Sequence, residues 1–237
     1  VGYKDMNMKR IHIVDKLKDL GFELDDLTLG DFDVIGEWCA KKQRSRDSEL
    51  YKTAGAFFRP NYERGLLIYS LILRHDIKSF LEIGFGRGYG TLCAAMAMAE
   101  NGGGTITTVD PNFDNNHISN LKEAFSEQWF SMINFVPDFS QNYLSKVEDE
   151  FDFIYIDGDH RYEAVKADWE LCKHRYNKIL LFDDYIPQED NSPEDIKCSA
   201  LIDSIEDDSK ELIIMDRRIF FDDRKISDDE INYGSYD

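Results

Sequence analysis

From residue 79 onward the chain alternates short apolar runs with longer helical stretches, and the apolar runs lack an in–out alternation. Phe153–Ile156 and Ile179–Phe182 are apolar almost throughout. A strand of that kind must be covered on both faces, as in a parallel sheet flanked by helices. Five strands are expected, at Ser79–Ile83, Thr105–Asp110, Ile133–Val136, Phe151–Asp157 and Lys178–Asp183. Helices fit between them at Gly88–Asn101, Asn116–Trp129, Phe139–Val147 and Tyr162–Tyr176, with a further one over Pro193–Ile205. Two last runs, Glu211–Met215 and Arg218–Phe221, are separated by two residues, a connection that joins only antiparallel strands. The expected fold class is therefore α/β: a doubly wound, mostly parallel seven-stranded sheet ending in an antiparallel hairpin.

The rhythm before residue 79 is helical. Ile11, Val14, Leu17 and Leu20 form one stripe of a helix over Met8–Leu20, followed by helices at Asp31–Lys42 and Asn61–Arg74. Residues 1–78 thus read as an N-terminal helical cap and residues 79–237 as the ligand-binding domain. Phe57, Phe58, Arg59 and Tyr62, just before the first strand, are candidates for a lid, with core packing as the competing reading. The N-terminal helices are equally suited to a homo-oligomer surface.

Composition narrows the partners. Lys and Arg number 28 against 47 Asp and Glu, a formal net charge of −19. Such a chain is a poor match for nucleic acid or for an anionic membrane, whose affinities rest on basic side chains. Cys39, Cys93, Cys172 and Cys198 form no CxxC pair, the usage of a reducing compartment. No apolar stretch follows a basic start, so no secretory signal is expected, and the longest apolar run falls well short of the ~20 residues that cross a bilayer. A cytoplasmic location follows from these readings.

The first expected strand runs into Glu82-Ile-Gly84-Phe-Gly86-Arg-Gly88-Tyr-Gly90. Glycines after a first strand permit tight turns and let a ligand press on bare backbone at a helix N-terminus. Neither frame of this loop satisfies GxGxxG, which disfavours a redox dinucleotide and suits a smaller nucleoside-like ligand. The next strand ends in Asp110, where a carboxylate can hold ribose hydroxyls.

Strand four ends in Asp157-Gly-Asp159-His160 and strand five in Asp183-Asp184-Tyr185. Neighbouring parallel strands bring such ends into one crevice, where clustered carboxylates require a cation or protons. Hard oxygen ligands suit Mg²⁺, and His160 is placed to take a proton near neutral pH. Solvated loop ends are the competing reading of the acids, and a helix cap is that of Asp159.

Glu82–Gly88 followed by Thr108-Val-Asp110 resembles motifs I and II of the class I S-adenosylmethionine-dependent methyltransferases, over roughly Ser79 to Arg224. The resemblance implies a Rossmann-like methyltransferase fold with Glu82, Gly84, Gly86 and Gly88 around the donor, Asp110 on its ribose and Asp138 near the adenine. The Asp157–His160 and Asp183–Asp184 pairing resembles the metal-dependent O-methyltransferases of the catechol and macrolide-sugar types. By that resemblance Asp157, Asp183 and Asp184 would hold Mg²⁺, Asp157 would also border the donor, and Asp157 and His160 would be catalytic, His160 as general base. The catechol type carries Asn at the position of Asp184 and a lysine base; the nearest lysine here is Lys166, so the sugar type is the nearer match. The implied activity is methylation of a hydroxyl on a small molecule, a sugar or a phenol. A NAD- or nucleotide-sugar-dependent Rossmann enzyme and a non-catalytic adenosyl-ligand binder are the alternatives.

Overall fold

A computed structural model of the 237-residue chain describes residues 8–22, 32, 34–36, 38, 39, 62–185 and 198–215. It opens with strand β1 (Lys9–His12), helix α1 (Ile13–Asp19) and helix α2 (Tyr62–Arg74). Then come β2 (Ser79–Ile83), α3 (Tyr89–Glu100), β3 (Thr105–Val109), α4 (Asn115–Ala124) and α5 (Glu127–Ser131). The remainder is β4 (Ile133–Val136), α6 (Ser140–Leu144), β5 (Phe151–Ile156), α7 (Tyr162–Cys172), β6 (Tyr176–Phe182), α8 (Cys198–Ser204) and β7 (Glu211–Ile214).

The main sheet is parallel throughout, in the order β4-β3-β2-β5-β6. The chain winds outward from β2 through β3 to β4, then returns to the other side of β2 for β5 and β6. The direction of winding therefore reverses between β2 and β5, and the crevice outside their C-terminal ends is where such sheets bind ligands. The five strands expected from their continuous apolar runs are all present, and the doubly wound α/β class stands.

Helix α3 shows why the core lies where it does. Tyr89 through Met98 are all buried, so the helix has no solvent face and is sandwiched between the sheet and α2. Below it Phe80 and Phe153 meet edge to face across β2 and β5, ring centroids 5.0 Å apart. Ile13, Leu17, Phe32, Ile35, Leu66 and Ile72 belong to the same buried cluster. The described N-terminal residues and the sheet thus share one core.

Three details differ from the sequence reading. Lys9–His12 does not begin a helix; it pairs in parallel with Glu211–Ile214 as a separate two-stranded sheet, Lys9 opposite Glu211 and His12 opposite Ile214. The Ile11–Val14–Leu17 stripe is helical in spacing, but the backbone hydrogen bonds of residues 9–12 go to a distant strand, which no local pattern reveals. Glu211–Ile214 consequently lies outside the main sheet, which holds five strands among the described residues rather than seven. The expected partner run Arg218–Phe221 falls outside the described residues, as do Phe57, Phe58, Arg59 and the side chain of Tyr62. The Asn116–Trp129 helix is divided because the Ser126 hydroxyl accepts from the Gln128 amide at 3.2 Å and starts a second helix.

No helix among the described residues is long and apolar enough to cross a membrane. The four cysteines are buried free thiols. Deleting the fully buried Phe153 ring should cost about 3–5 kcal/mol, because it removes transfer energy and leaves a cavity against Phe80. Urea unfolding of Phe153→Ala, with an unchanged denaturant slope, is the measurement.

Candidate active site

The loop from β2 to α3 turns on glycines at positive φ: Gly84 at +94°, Gly86 at +51° and Gly88 at +85°. Gly84 donates to the Val109 carbonyl at 2.9 Å, and a Cβ there would overlap the backbone carbonyl of Asp157. The end of β2 therefore presses directly on the end of β5. A Cβ on Gly86 would meet nothing within 4 Å, so this stretch of bare backbone faces open space. Gly88 caps α3 with no side chain of its own, leaving the helix N-terminus and its partial positive charge beside the loop.

Asp110 closes the turn. One carboxylate oxygen accepts from the amides of Phe85 at 3.1 Å and Gly86 at 3.2 Å, the other from Asn112 at 2.7 Å. A carboxylate has about four lone-pair sites, so capacity is left for a hydroxyl. The underside of the loop is pinned at the Arg87 carbonyl, which the Cys39 thiol meets at 3.3 Å and His117 Nε2 at 2.9 Å. Open glycine backbone, a helix N-terminus and a carboxylate with one acceptor site to spare, all beside the switch point, together fit a nucleoside.

Glu82 is placed beneath this loop. It is buried, accepts from the Thr91 hydroxyl and from the Thr108 hydroxyl at 3.0 Å, and lies against the Cα of Gly90. Burial pushes its carboxyl up to about 7, against the pull of the two hydroxyls. Asp138, at the end of β4, is half-buried and accepts from Asn142 Nδ2 at 2.8 Å and Lys146 Nζ at 3.1 Å, which hold it below the usual carboxylate range. It stands on the outer side of β3, away from the strand-five and strand-six acids.

Those acids do converge. Tyr155 and Asp157 share one face of β5 by the two-residue period of a strand. The Tyr155 hydroxyl lies 3.0 Å from Asp157 Oδ2 and 2.7 Å from Asp183 Oδ2. Arg64, from α2, brings Nη1 to the same two oxygens, 3.2 Å from that of Asp157 and in a tight ion pair with that of Asp183. Asp184 leaves the strand at φ +54° and turns the other way, onto His160 Nδ1 at 2.8 Å.

The electrostatics follow the partners. Burial and the neighbouring Asp183 raise Asp157 well above the carboxylate range. Burial works against the charge of Asp183 too, but Arg64 and the Tyr155 hydroxyl outweigh it and keep Asp183 ionised. Burial opposes the His160 imidazolium, yet the hydrogen bond and charge of Asp184, the Cys198 side chain and the nearby Asp157 together more than offset this and carry the imidazole up to about 11. Asp159 stays outside the cluster, bound to the Arg161 side chain and amide.

Asp157, His160 and Asp184 bring ligand atoms within 4.8 Å of one another, a set that can hold a divalent cation. Asp183 is not among them. Two carboxylates with an imidazole suit manganese, iron or zinc as well as magnesium. Arg64 and Tyr155 carried no local signal: Arg64 lies on α2, far upstream of the acids it pairs with. An arginine next to the apolar run that begins at Leu66, and the need of converging carboxylates for a counter-charge, were the available clues.

Residues 81–185 match a family model described as a methyltransferase domain. No curated protein matches the chain. Among solved structures, the SAH-bound methyltransferase PaMTH1 of Podospora anserina aligns at 23% identity over 64% of this chain and 62% of its own, TM-score 0.46. The SAM complex of TomG, an O-methyltransferase of Streptomyces achromogenes involved in tomaymycin synthesis, aligns at 15% identity over 65% and 64%, TM-score 0.46. An O-methyltransferase from Bacillus cereus in complex with SAH aligns at 17% identity over 73% and 72%, TM-score 0.47. The chain spans less than two thirds of the length of the first two.

Glu82 makes stability depend on pH with a definite sign. Below its ordinary value of 4.5 both folded and unfolded chains carry the proton; between 4.5 and about 7 only the unfolded chain releases it, so stability falls as pH rises through that window. The loss is on the order of 3 kcal/mol and complete above the folded value. Glu82→Gln should lack this fall, and urea unfolding of both proteins from pH 4.5 to 8 measures it. Gly84→Ala should unfold the switch point, since left-handed backbone and the Asp157 carbonyl both exclude a methyl group; a drop of several degrees or more in the thermal midpoint checks this.

Proposed function

We propose, from the premise that residues 81–185 form an S-adenosylmethionine-dependent methyltransferase domain, that the chain methylates a hydroxyl oxygen of a small molecule. The observation that carries this reading is the contact of Gly84 with the Asp157 carbonyl. It sets a nucleoside-sized loop directly beside a histidine–carboxylate pair and a cation-binding group of acids.

S-adenosylmethionine supplies a methyl group already activated on a sulfonium sulfur. The residues need only hold donor and acceptor in line and manage one proton. Backbone at Gly84, Gly86 and Gly88 receives the donor, Asp110 accepts from its ribose hydroxyls, and Asp138 borders the adenine side. Asp157 borders the sulfonium, and the negative field of the crevice favours its charge. Glu82 supports the loop from below through Thr91 and Thr108.

His160 takes the proton of the acceptor hydroxyl as the methyl carbon–sulfur bond breaks and the carbon–oxygen bond forms. Its Nδ1 is engaged by Asp184, which fixes the ring, and Nε2 is the nitrogen assigned to the acceptor. Asp184 favours the imidazolium, so the proton has a stable destination once it leaves the hydroxyl, and the neutral, reactive imidazole is the minor form at neutral pH. A divalent cation, Mg²⁺ in the sequence reading, would be held by Asp157 and Asp184 and would make a bound hydroxyl more acidic.

The net charge of −19 supports a small acceptor rather than a polyanion, and four buried free thiols support a reducing, cytoplasmic setting. Calorimetric titration with S-adenosylmethionine, S-adenosylhomocysteine and NAD should show the adenosyl pair binding and NAD not. Asp110→Ala should weaken the pair about ten-fold or more, the loss of a charged hydrogen bond to hydroxyls. His160→Ala should lower methyl transfer to a hydroxyl acceptor by about 10²–10⁴-fold while donor affinity stays within about two-fold. Preference for NAD overturns the reading, and transfer that survives full chelation removes the metal from it.

A further inference from the structure

We propose that Arg64 is the built-in counter-cation of the strand-end acids, and that a divalent cation engages Asp183 only by displacing its guanidinium. The Oδ2 atoms of Asp157 and Asp183 share the same two partners, Arg64 Nη1 and the Tyr155 hydroxyl. A hydroxyl has one hydrogen, so it satisfies one of the two oxygens at a time. The guanidinium supplies the positive charge that the two oxygens share.

The position of Arg64 makes it a fixture. Its side chain is 10% exposed, against 16% for Asp157 and 19% for Asp183. It rides on α2, whose neighbours Leu66, Leu67 and Ile68 are buried against α3 and the sheet. A guanidinium keeps its charge at every physiological pH, so the ion pair it makes with Asp183 is opened by a competing cation or by loss of the arginine. A buried carboxylate pair stripped of its cation is strongly unfavourable, which gives the competition a measurable energy.

The second acidic arm is arranged differently. Asp184 turns away to His160, and the group that can hold a cation as the structure stands is Asp157, His160 and Asp184, without Asp183. Asp157 belongs to both arrangements. Arg64 and a metal ion therefore draw on the same carboxylate, and the chain has two states: acids closed on arginine, or acids open to a divalent ion.

This inference rests on the acids and the arginine alone, not on methyl transfer, and its test contains no donor or acceptor. Mn²⁺ is titrated into the full chain and into Arg64→Gln, read by the loss of free Mn²⁺ resonance and by the thermal midpoint. Wild type should bind weakly, with an unmoved midpoint. Arg64→Gln should be less stable without metal, bind Mn²⁺ about ten-fold tighter or more, and regain its midpoint or its circular dichroism as metal is added. Arg64→Gln combined with Asp183→Asn should lose that gain, since the released carboxylate is gone. Equal Mn²⁺ affinity in wild type and Arg64→Gln overturns the competition. Failure of Arg64→Gln to bind or to be rescued overturns it as well, and an undiminished midpoint for metal-free Arg64→Gln overturns the counter-cation role.

Discussion

The hydrogen bond from the Asp157 amide to the Ile83 carbonyl, 2.9 Å long, closes the ladder between β2 and β5 at the point where the sheet reverses its winding. The site depends on that closure. It draws the end of one strand so near the other that Gly84 has no space for a side chain. The glycine loop and the first acid of the cluster, far apart in sequence, thus become neighbours through backbone pairing alone. A sheet whose strands were ordered along the sequence would have put two strands between them, a separation of roughly 14 Å at the usual spacing.

Charge is the second constraint. A chain with 47 acidic residues can scatter most of them in water, but Asp157, Asp183 and Asp184 end two adjacent buried strands and cannot escape one another. The structure sorts them into two pairs with different cations. Asp183 and Asp157 share Arg64, a group that never titrates; Asp184 takes His160, a group that does. Permanent charge holds one arm, and a proton-carrying partner holds the other. A proton can be moved on one side of the crevice without dissolving the other.

How much of this the residues announce depends on whether the signal is local. Phe153–Ile156 and Ile179–Phe182 declare covered parallel strands because each residue must find apolar surroundings on its own face. The glycines of the β2–α3 loop and the strand-terminal acids are legible for the same reason, since backbone geometry and chain end fix their place. The pairing of Lys9–His12 with Glu211–Ile214 is not, because Ile11 satisfies a helical stripe as well as a strand and the deciding hydrogen bonds lie some 200 residues away. Arg64 is invisible in the same way: the sequence shows that the acids need a cation, and several ions and side chains could meet that need. Asp110 is intermediate. Its position at the end of β3 is read directly, yet its hold on the Phe85 and Gly86 amides emerges only when the loop has folded over it.

Asp184 shows how one backbone choice distributes the chemistry. In a continuing strand Asp183 and Asp184 would alternate across the sheet, one toward each face. The left-handed turn at Asp184, φ +54°, breaks that alternation, sending the carboxylate to His160 while Asp183 remains with Arg64 and Tyr155. Aspartate and asparagine are the side-chain-bearing residues that tolerate this conformation best. Asparagine would keep the turn but bring no charge to the imidazole, leaving His160 to the desolvation that lowers its affinity for a proton. The second acid of the pair therefore satisfies a conformational demand and an electrostatic one together, and the strength of His160 as a base comes from the meeting of the two.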